Sequence, residues 1–262
     1  MAEAVLQIFR GDSKGGAAKE CHVPLAPGMV VLDALHYVQA HQLPDLAVRW
    51  NCKAGKCGSC SAEVNGHPRL TCKTRMDALP LDKPITIFPM KSFPVIKDLV
   101  TDVSWNFRVN KKIPPFQPRA GAEWKFDQKD VDRVQEFRKC IECFLCQNVC
   151  HVLRDHGKKE EFGGPRFFVR VAGLEMHPMD GASRAALLRK ELGIGLCNIT
   201  KCCTEVCPEE IHITDNAIIP LKERVVDEFY DPVLRLIRGV GKLFGLNKKE
   251  RAPLPVVSTE AR

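Results

Sequence analysis

Val5 to Phe9 and Glu20 to Leu25 are short β-rich runs, separated by the loop sequence Gly11-Asp12-Ser13-Lys14-Gly15-Gly16. Pro27-Gly28 is a turn signal, and beyond it Leu32, Leu35 and Val38 are spaced for one face of a helix over Val31 to Gln39. Asn65-Gly66, between Ala62-Glu63-Val64 and Arg69-Leu70, predicts a hairpin. Ile85 to Phe88 closes the region as a strand. The pattern predicts a small β-rich domain around a cysteine-rich loop.

Over residues 103–119 the pattern breaks, and Pro114-Pro115 and Pro118 predict a linker. Strand signals then nearly vanish. Val131, Val134 and Phe137 fall at helical spacing, as do Phe167, Phe168 and Val171, and Ala185 to Leu192 and Ile218 to Val226 read as helical too. From Asp231 to Arg251, Val233, Leu236, Ile237, Val240, Leu243 and Phe244 can share one helical face, while Arg235, Arg238, Lys242, Lys248, Lys249 and Arg251 against Asp231 and Glu250 give the segment a net charge of +4. This basic amphipathic segment suits an anionic membrane surface or a membrane anchor, and packing on a protein body equally. No apolar run approaches the roughly 18 residues of a membrane span. The first residues lack the features of a signal or transit peptide. The fold class expected is α+β: a β-rich domain over residues 1–108, a helical domain over 109–230 and an extension over 231–262.

Composition is ordinary at 45% hydrophobic and 27% charged, but the chain of 262 residues holds 13 cysteines. An odd count without a signal peptide points to a reducing compartment and to metal rather than disulfides. Cys52-x4-Cys57-x2-Cys60, followed by Cys72, is the plant-type spacing for a [2Fe–2S] cluster. Ala54, Gly55 and Gly58 lack bulk, so backbone N–H groups can approach the sulfurs and stabilise added negative charge. The alternative is zinc, whose sites usually pair two close Cys-x2–4-Cys units across a longer gap.

Cys140-x2-Cys143-x2-Cys146-x3-Cys150 is the bacterial ferredoxin run, whose fourth cysteine ligates the other cluster in two-cluster proteins. The partner run is Cys197-x2-Thr200-x2-Cys203-x3-Cys207-Pro208, intact except that Thr200 stands where the second thiolate belongs. Crossing the fourth cysteines assigns Cys140, Cys143, Cys146 and Cys207 to a [4Fe–4S] cluster. Cys150, Cys197 and Cys203 remain, and three thiolates suit [3Fe–4S]. Cys21, in a strand-like run, is expected in the core, and Cys202 is displaced from the template, expected as an unliganded thiol beside the loop.

The formal charge of +7 fits the same picture. Three oxidised clusters with their thiolates each carry about two negative charges, leaving a net charge of about +1. The basic balance is cluster compensation, and nucleic-acid binding has little support.

These motifs, with Phe93-Pro94-Val95-Ile96-Lys97-Asp98-Leu99 after the first domain, resemble the iron–sulfur subunit of succinate dehydrogenase and fumarate reductase over roughly residues 1–230. The resemblance implies a β-grasp plant-type ferredoxin domain followed by an all-α bacterial-ferredoxin-like domain. It also implies docking on an FAD-containing flavoprotein subunit that oxidises succinate. Electrons would pass through [2Fe–2S], [4Fe–4S] and [3Fe–4S] to quinone, or another acceptor, at a hydrophobic membrane-anchor subunit. The location implied is peripheral, on the cytoplasmic face of a bacterial plasma membrane, with the mitochondrial matrix side as the second choice. In that family Pro and then Trp commonly follow the cysteine that ends the ferredoxin run, and a His follows the first cysteine of the last group. Here His151, Asp155 and Asn198 occupy those places, so quinone-contact residues are not carried over. His151 is expected as an exposed loop residue. Fumarate reduction, another flavoprotein-linked oxidoreductase and a structural zinc interaction module are the competing functions. No catalytic residue is expected in this chain.

Overall fold

The computed structural model describes residues 3–119, 121, 125, 127–234, 236–237 and 252–253. The chain groups into two compact units, each discontinuous in sequence. The first takes Met1–Trp105, Cys140–Gly157 and Glu205–Glu210, and the second takes Asn106–Lys139, Lys158–Thr204 and Ile211–Arg262.

The first unit is built on a five-stranded sheet in the order β2-β1-β5-β3-β4. β1 (Glu3–Asp12) and β2 (Gly15–Pro24) pair antiparallel from Glu3 opposite Pro24 to Asp12 opposite Gly15. The loop expected over Gly11–Gly16 is therefore mostly strand. The glycines let the two backbones close completely, since a Cβ on Gly16 would lie 2.3 Å from the Arg10 carbonyl oxygen. β5 (Ile85–Phe88) lies parallel to β1 and antiparallel to β3 (Ser61–Val64). β3 turns through Asn65 (φ 50°) and Gly66 (φ 76°) into β4 (His67–Leu70), the tight hairpin that Asn-Gly predicts.

Period-two alternation turns Ala4, Leu6 and Ile8 of β1 and Ile85 and Ile87 of β5 to one face. Helix α1 (Val31–His41) covers that face with Val31, Ala34, Leu35 and Val38. Each of these larger side chains contributes roughly 1.5–3 kcal/mol by leaving water. Cys21 is buried in this core, as its strand position suggests. A small antiparallel pair, β6 (Val95–Lys97) and β7 (Val100–Thr101), follows.

Residues 104–111 form helix α2 (Ser104–Lys111), where the sequence pattern shows only a break. Trp105 and Val109 are one turn apart and both buried, and the helix ends before Pro114 and Pro115. The proline segment is held by Arg184, whose buried guanidinium donates to the carbonyls of Pro114 (3.1 Å) and Pro115 (2.7 Å) and pairs with Asp180 at 2.9 Å.

The rest of the second unit is mainly helical. α3 (Gln128–Arg138) buries Val134 and Phe137, and further along the chain come α4 (Leu145–Asn148) and α5 (His151–Arg154), whose residues belong to the first unit. α6 (Pro165–Glu175), α7 (Ala185–Lys190) and α8 (Cys202–Glu205) precede a π-helix over Ile213–Ile218, which runs into α9 (Ile219–Phe229). A two-residue pairing joins β8 (Ala182–Ser183) to β9 (Ala252–Pro253). Of the expected tail helix, residues 232–234 and 236–237 are helical, with Val233, Leu236 and Ile237 exposed, and its remainder to Arg251 lies outside the described residues. Among the described residues no helix is long and apolar enough to cross a membrane.

Candidate functional site

Cys52, Cys57 and Cys60 lie on the loop between α1 and β3. Left-handed backbone at Lys53 (φ 55°), Gly55 (φ 67°) and Gly58 (φ 67°) turns amides inward. Ala54 and Lys56 donate N–H to Cys52 Sγ at 3.4 and 3.3 Å, and Cys52 N–H lies 3.5 Å from Cys57 Sγ. Burial pushes the Cys57 thiol up, but hydrogen bonds from Ser59 and from Cys52 outweigh it and bring the group down to about 6. Thr71 donates both its amide and its hydroxyl to the Cys60 carbonyl, each at 3.1 Å, which delivers the following Cys72 to the loop. Cys72 is pushed up to about 11 by burial and by the neighbouring Cys60, with Cys52 adding to the effect. All four sequence-chosen thiols thus meet, and the amides aimed at sulfur favour thiolate.

The ferredoxin run has the same device. Glu142 (φ 56°) and Phe144 (φ 60°) are left-handed on either side of Cys143. Cys143 is buried and pushed up to about 12 by that burial; the Leu145 amide opposes the rise, and the Cys140 and Cys207 thiols add to it. Cys140, Cys143 and Cys207 therefore share one neighbourhood of the first unit, where Cys146 and Cys150 are also buried. Lys73 Nζ donates to the Pro208 carbonyl at 3.2 Å, and Lys56 pairs with Glu209 at 3.6 Å, tying the Cys207 segment to the plant-type loop.

The residues joining the two cysteine loops escaped sequence reasoning. Ser61 Oγ, on β3, bridges the carbonyls of Gly58 (3.1 Å) and Cys143 (2.8 Å). Two residues on, Glu63 is buried, and its Oε1 accepts from Asn148 Nδ2 and Arg154 Nη1, both at 2.9 Å. Lys91 Nζ stands 3.7 Å from Oε2. Asn148 in turn accepts from the Ser92 amide and hydroxyl, each at 3.0 Å, through its side-chain and backbone oxygens. A glutamate between Ala62 and Val64 carries no local signal of burial.

In the second unit, Ile199 (φ 60°) and Lys201 (φ 63°) flank Thr200 as Glu142 and Phe144 flank Cys143. Left-handed backbone at a β-branched isoleucine costs roughly 1–2 kcal/mol. The backbone around Thr200 repeats the left-handed pattern found around Cys143. Thr200 Oγ1 lies 3.2 Å from Cys202 Sγ, and Lys222 Nζ donates to the Cys197 carbonyl at 2.6 Å. Burial pushes Cys203 up to about 11, with Cys202 and Cys197 near enough to add to the effect and the Thr214 hydroxyl opposing it. His151 opens α5 rather than a loop; it is exposed, with Nδ1 3.2 Å from Asp155 Oδ2.

No disulfide forms among the described residues. Nor are any three His, Cys, Asp or Glu side chains among them grouped to hold a single metal ion. The fit to iron–sulfur groups rests instead on amides directed at sulfur and on repeated left-handed turns, the donor set such clusters need.

Residues 5–108 match the family described as "2Fe-2S iron-sulfur cluster binding domain", and residues 136–211 match "4Fe-4S dicluster domain". A chain of the solved "Mycobacterium smegmatis Sdh1 complex in the apo form" is similar with a TM-score of 0.85 and 57% identity, over 88% of this chain and 98% of that one. The succinate dehydrogenase iron-sulfur subunit of Bacillus subtilis is 30% identical over 211 residues, which are 75% of this chain and 81% of the relative. A fumarate reductase (CoM/CoB) subunit of Methanothermobacter marburgensis is 31% identical over 87% of this chain, yet the chain spans only 45% of that longer relative.

Proposed function

The chain belongs to the family of succinate dehydrogenase and fumarate reductase iron–sulfur subunits, and on that premise we propose that it is the electron-relay subunit of a succinate dehydrogenase. It takes electrons from an FAD-containing flavoprotein subunit that converts succinate to fumarate. It hands them to quinone, or another acceptor, at a hydrophobic membrane-anchor subunit on the cytoplasmic face of the membrane. The observation that carries the reading is the backbone amides and left-handed turns that surround three sets of cysteines with the ferredoxin spacings.

Cys52, Cys57, Cys60 and Cys72 would hold [2Fe–2S]; Cys140, Cys143, Cys146 and Cys207 would hold [4Fe–4S]; Cys150, Cys197 and Cys203 would hold [3Fe–4S]. Bound clusters supply one-electron redox change, the chemistry that side chains lack. The chain's own part is to fix spacing, to bury the thiolates and to direct N–H groups at sulfur so that added negative charge is tolerated. Fumarate reduction is the second reading, because the relatives' names divide between the two directions.

The test is to isolate the complex with its partners and compare succinate-driven quinone reduction with quinol-driven fumarate reduction. The subunit purified alone is expected to show no succinate-dependent dye reduction. Such activity, or a colourless complex without acid-labile sulfide, overturns the assignment.

A further inference from the structure

Behind Cys203 lies a chain of two hydroxyls, Thr204 in the x3 interval before Cys207 and Thr214 seven residues beyond Cys207. Thr214 N–H donates to Thr204 Oγ1 at 3.0 Å, Thr204 Oγ1 donates to Thr214 Oγ1 at 3.1 Å, and Thr214 Oγ1 stands 3.5 Å from Cys203 Sγ. Thr214 is 1% exposed and Cys203 5%, so water does not compete for these groups.

The direction of the chain follows from counting protons. A threonine hydroxyl has one proton to give and two lone pairs to receive with. Thr204 spends its proton on Thr214 while its oxygen accepts the Thr214 amide. The proton of Thr214 is then left for the sulfur, and a cysteine sulfur bound to iron is a thiolate that can only accept. Each bond polarises the next, and the buried setting strengthens the last of them. Thr204 sits on α8 with Cys203, whereas Thr214 is the second residue of the π-helix Ile213–Ile218. Such wide turns appear mostly as short insertions, frequently at functional sites.

We propose that Thr214 is a positioning residue for electron transfer, whose hydroxyl, aligned by Thr204, donates to the Cys203 thiolate and raises the reduction potential of the third cluster. The inference rests on the assignment of Cys203 as a ligand of a three-iron centre. A donor to a ligating sulfur favours the reduced form, in which the sulfur carries more negative charge. The relay thereby makes the third centre the more willing acceptor, as the terminal position in the sequence of electron transfer requires.

The experiment is an EPR-monitored redox titration of the native complex carrying Thr214→Val, Thr214→Ser or Thr204→Val. Thr214→Val keeps the shape and removes the donor. It should lower the ratio of reduced to oxidised third cluster at fixed potential by roughly threefold to tenfold, tenfold being 59 mV for a one-electron couple. Thr204→Val should shift it less in the same direction, and Thr214→Ser should restore the native midpoint, with the other two clusters unmoved throughout. A native midpoint in Thr214→Val overturns the inference, as do equal shifts in the valine and serine variants. If Thr214→Val fails to assemble, a native midpoint in Thr204→Val overturns it instead. Absence of a three-iron signal from the unmodified complex overturns the underlying cluster assignment.

Discussion

Gly58 lies against the backbone of Cys143: a Cβ on Gly58 would stand 2.7 Å from Cys143 Cα and 2.7 Å from the Ile141 carbonyl oxygen. The left-handed backbone at Gly58 (φ 67°) adds a second penalty for any side chain, roughly 1–2 kcal/mol. The plant-type loop and the ferredoxin run share a wall that only glycine fits. Gly58→Ala is expected to lower both [2Fe–2S] and [4Fe–4S] occupancy, measured as iron and acid-labile sulfide per chain. Full occupancy of both would show that the two loops separate without cost.

The Glu63 carboxylate makes the second tie between those segments, and its charge is tolerable only while Arg154 and Asn148 face it. Arg154→Ala leaves a buried anion with Asn148 and with Lys91 Nζ at 3.7 Å. The cost should be on the order of 3 kcal/mol, read as a lower thermal midpoint. Adding Glu63→Gln to Arg154→Ala should recover part of it. A double variant less stable than Arg154→Ala would refute the charge-based account.

Thr200 lies between the left-handed residues Ile199 and Lys201, as Cys143 lies between Glu142 and Phe144. Its hydroxyl is a poor substitute for thiolate, so the oxidised native complex should give a [3Fe–4S] EPR signal. Thr200→Cys should convert part or all of that signal to [4Fe–4S] and slow quinone reduction. Cys202 is the rival ligand, 3.2 Å from the Thr200 hydroxyl. Two [4Fe–4S] clusters in the native protein, with a three-iron signal created by Cys202→Ser, would hand the site to Cys202.

Val233, Leu236 and Ile237 expose apolar surface just beyond α9, where the sequence turns basic. Truncation after Tyr230 is expected to weaken retention in the membrane fraction and leave cluster content unchanged. Unaltered retention removes the tail from the membrane contact.

Cys52, Cys57, Cys60 and Cys72, which the structure brings together, were legible because the spacing of their loop is local and chemically demanding. The Asn65-Gly66 hairpin was legible for the same reason, since the turn chemistry lies in the two residues that form it. Helix α2 was missed because the prolines after it mask the one-turn spacing of Trp105 and Val109. Ser61, Glu63 and Asn148 gave no sign of their role, since their partners lie far along the chain and a polar residue in a strand ordinarily faces water. The left-handed Ile199 was hidden more deeply, because residue preference argues against that backbone at a β-branched side chain.

The first unit is assembled from Met1–Trp105, Cys140–Gly157 and Glu205–Glu210, and this order has a consequence for synthesis on the ribosome. Glu63 leaves the peptidyl-transferase centre 91 residues before Arg154. At roughly 5–20 residues per second the nascent strand waits about 5–18 seconds for the guanidinium that pairs with its buried carboxylate. Cys207 arrives later still. The amino-terminal segment therefore completes its buried charge pair and its cysteine neighbourhood only after later parts of the chain are made. A stop codon shortly before Cys207 would injure the part of the molecule translated first.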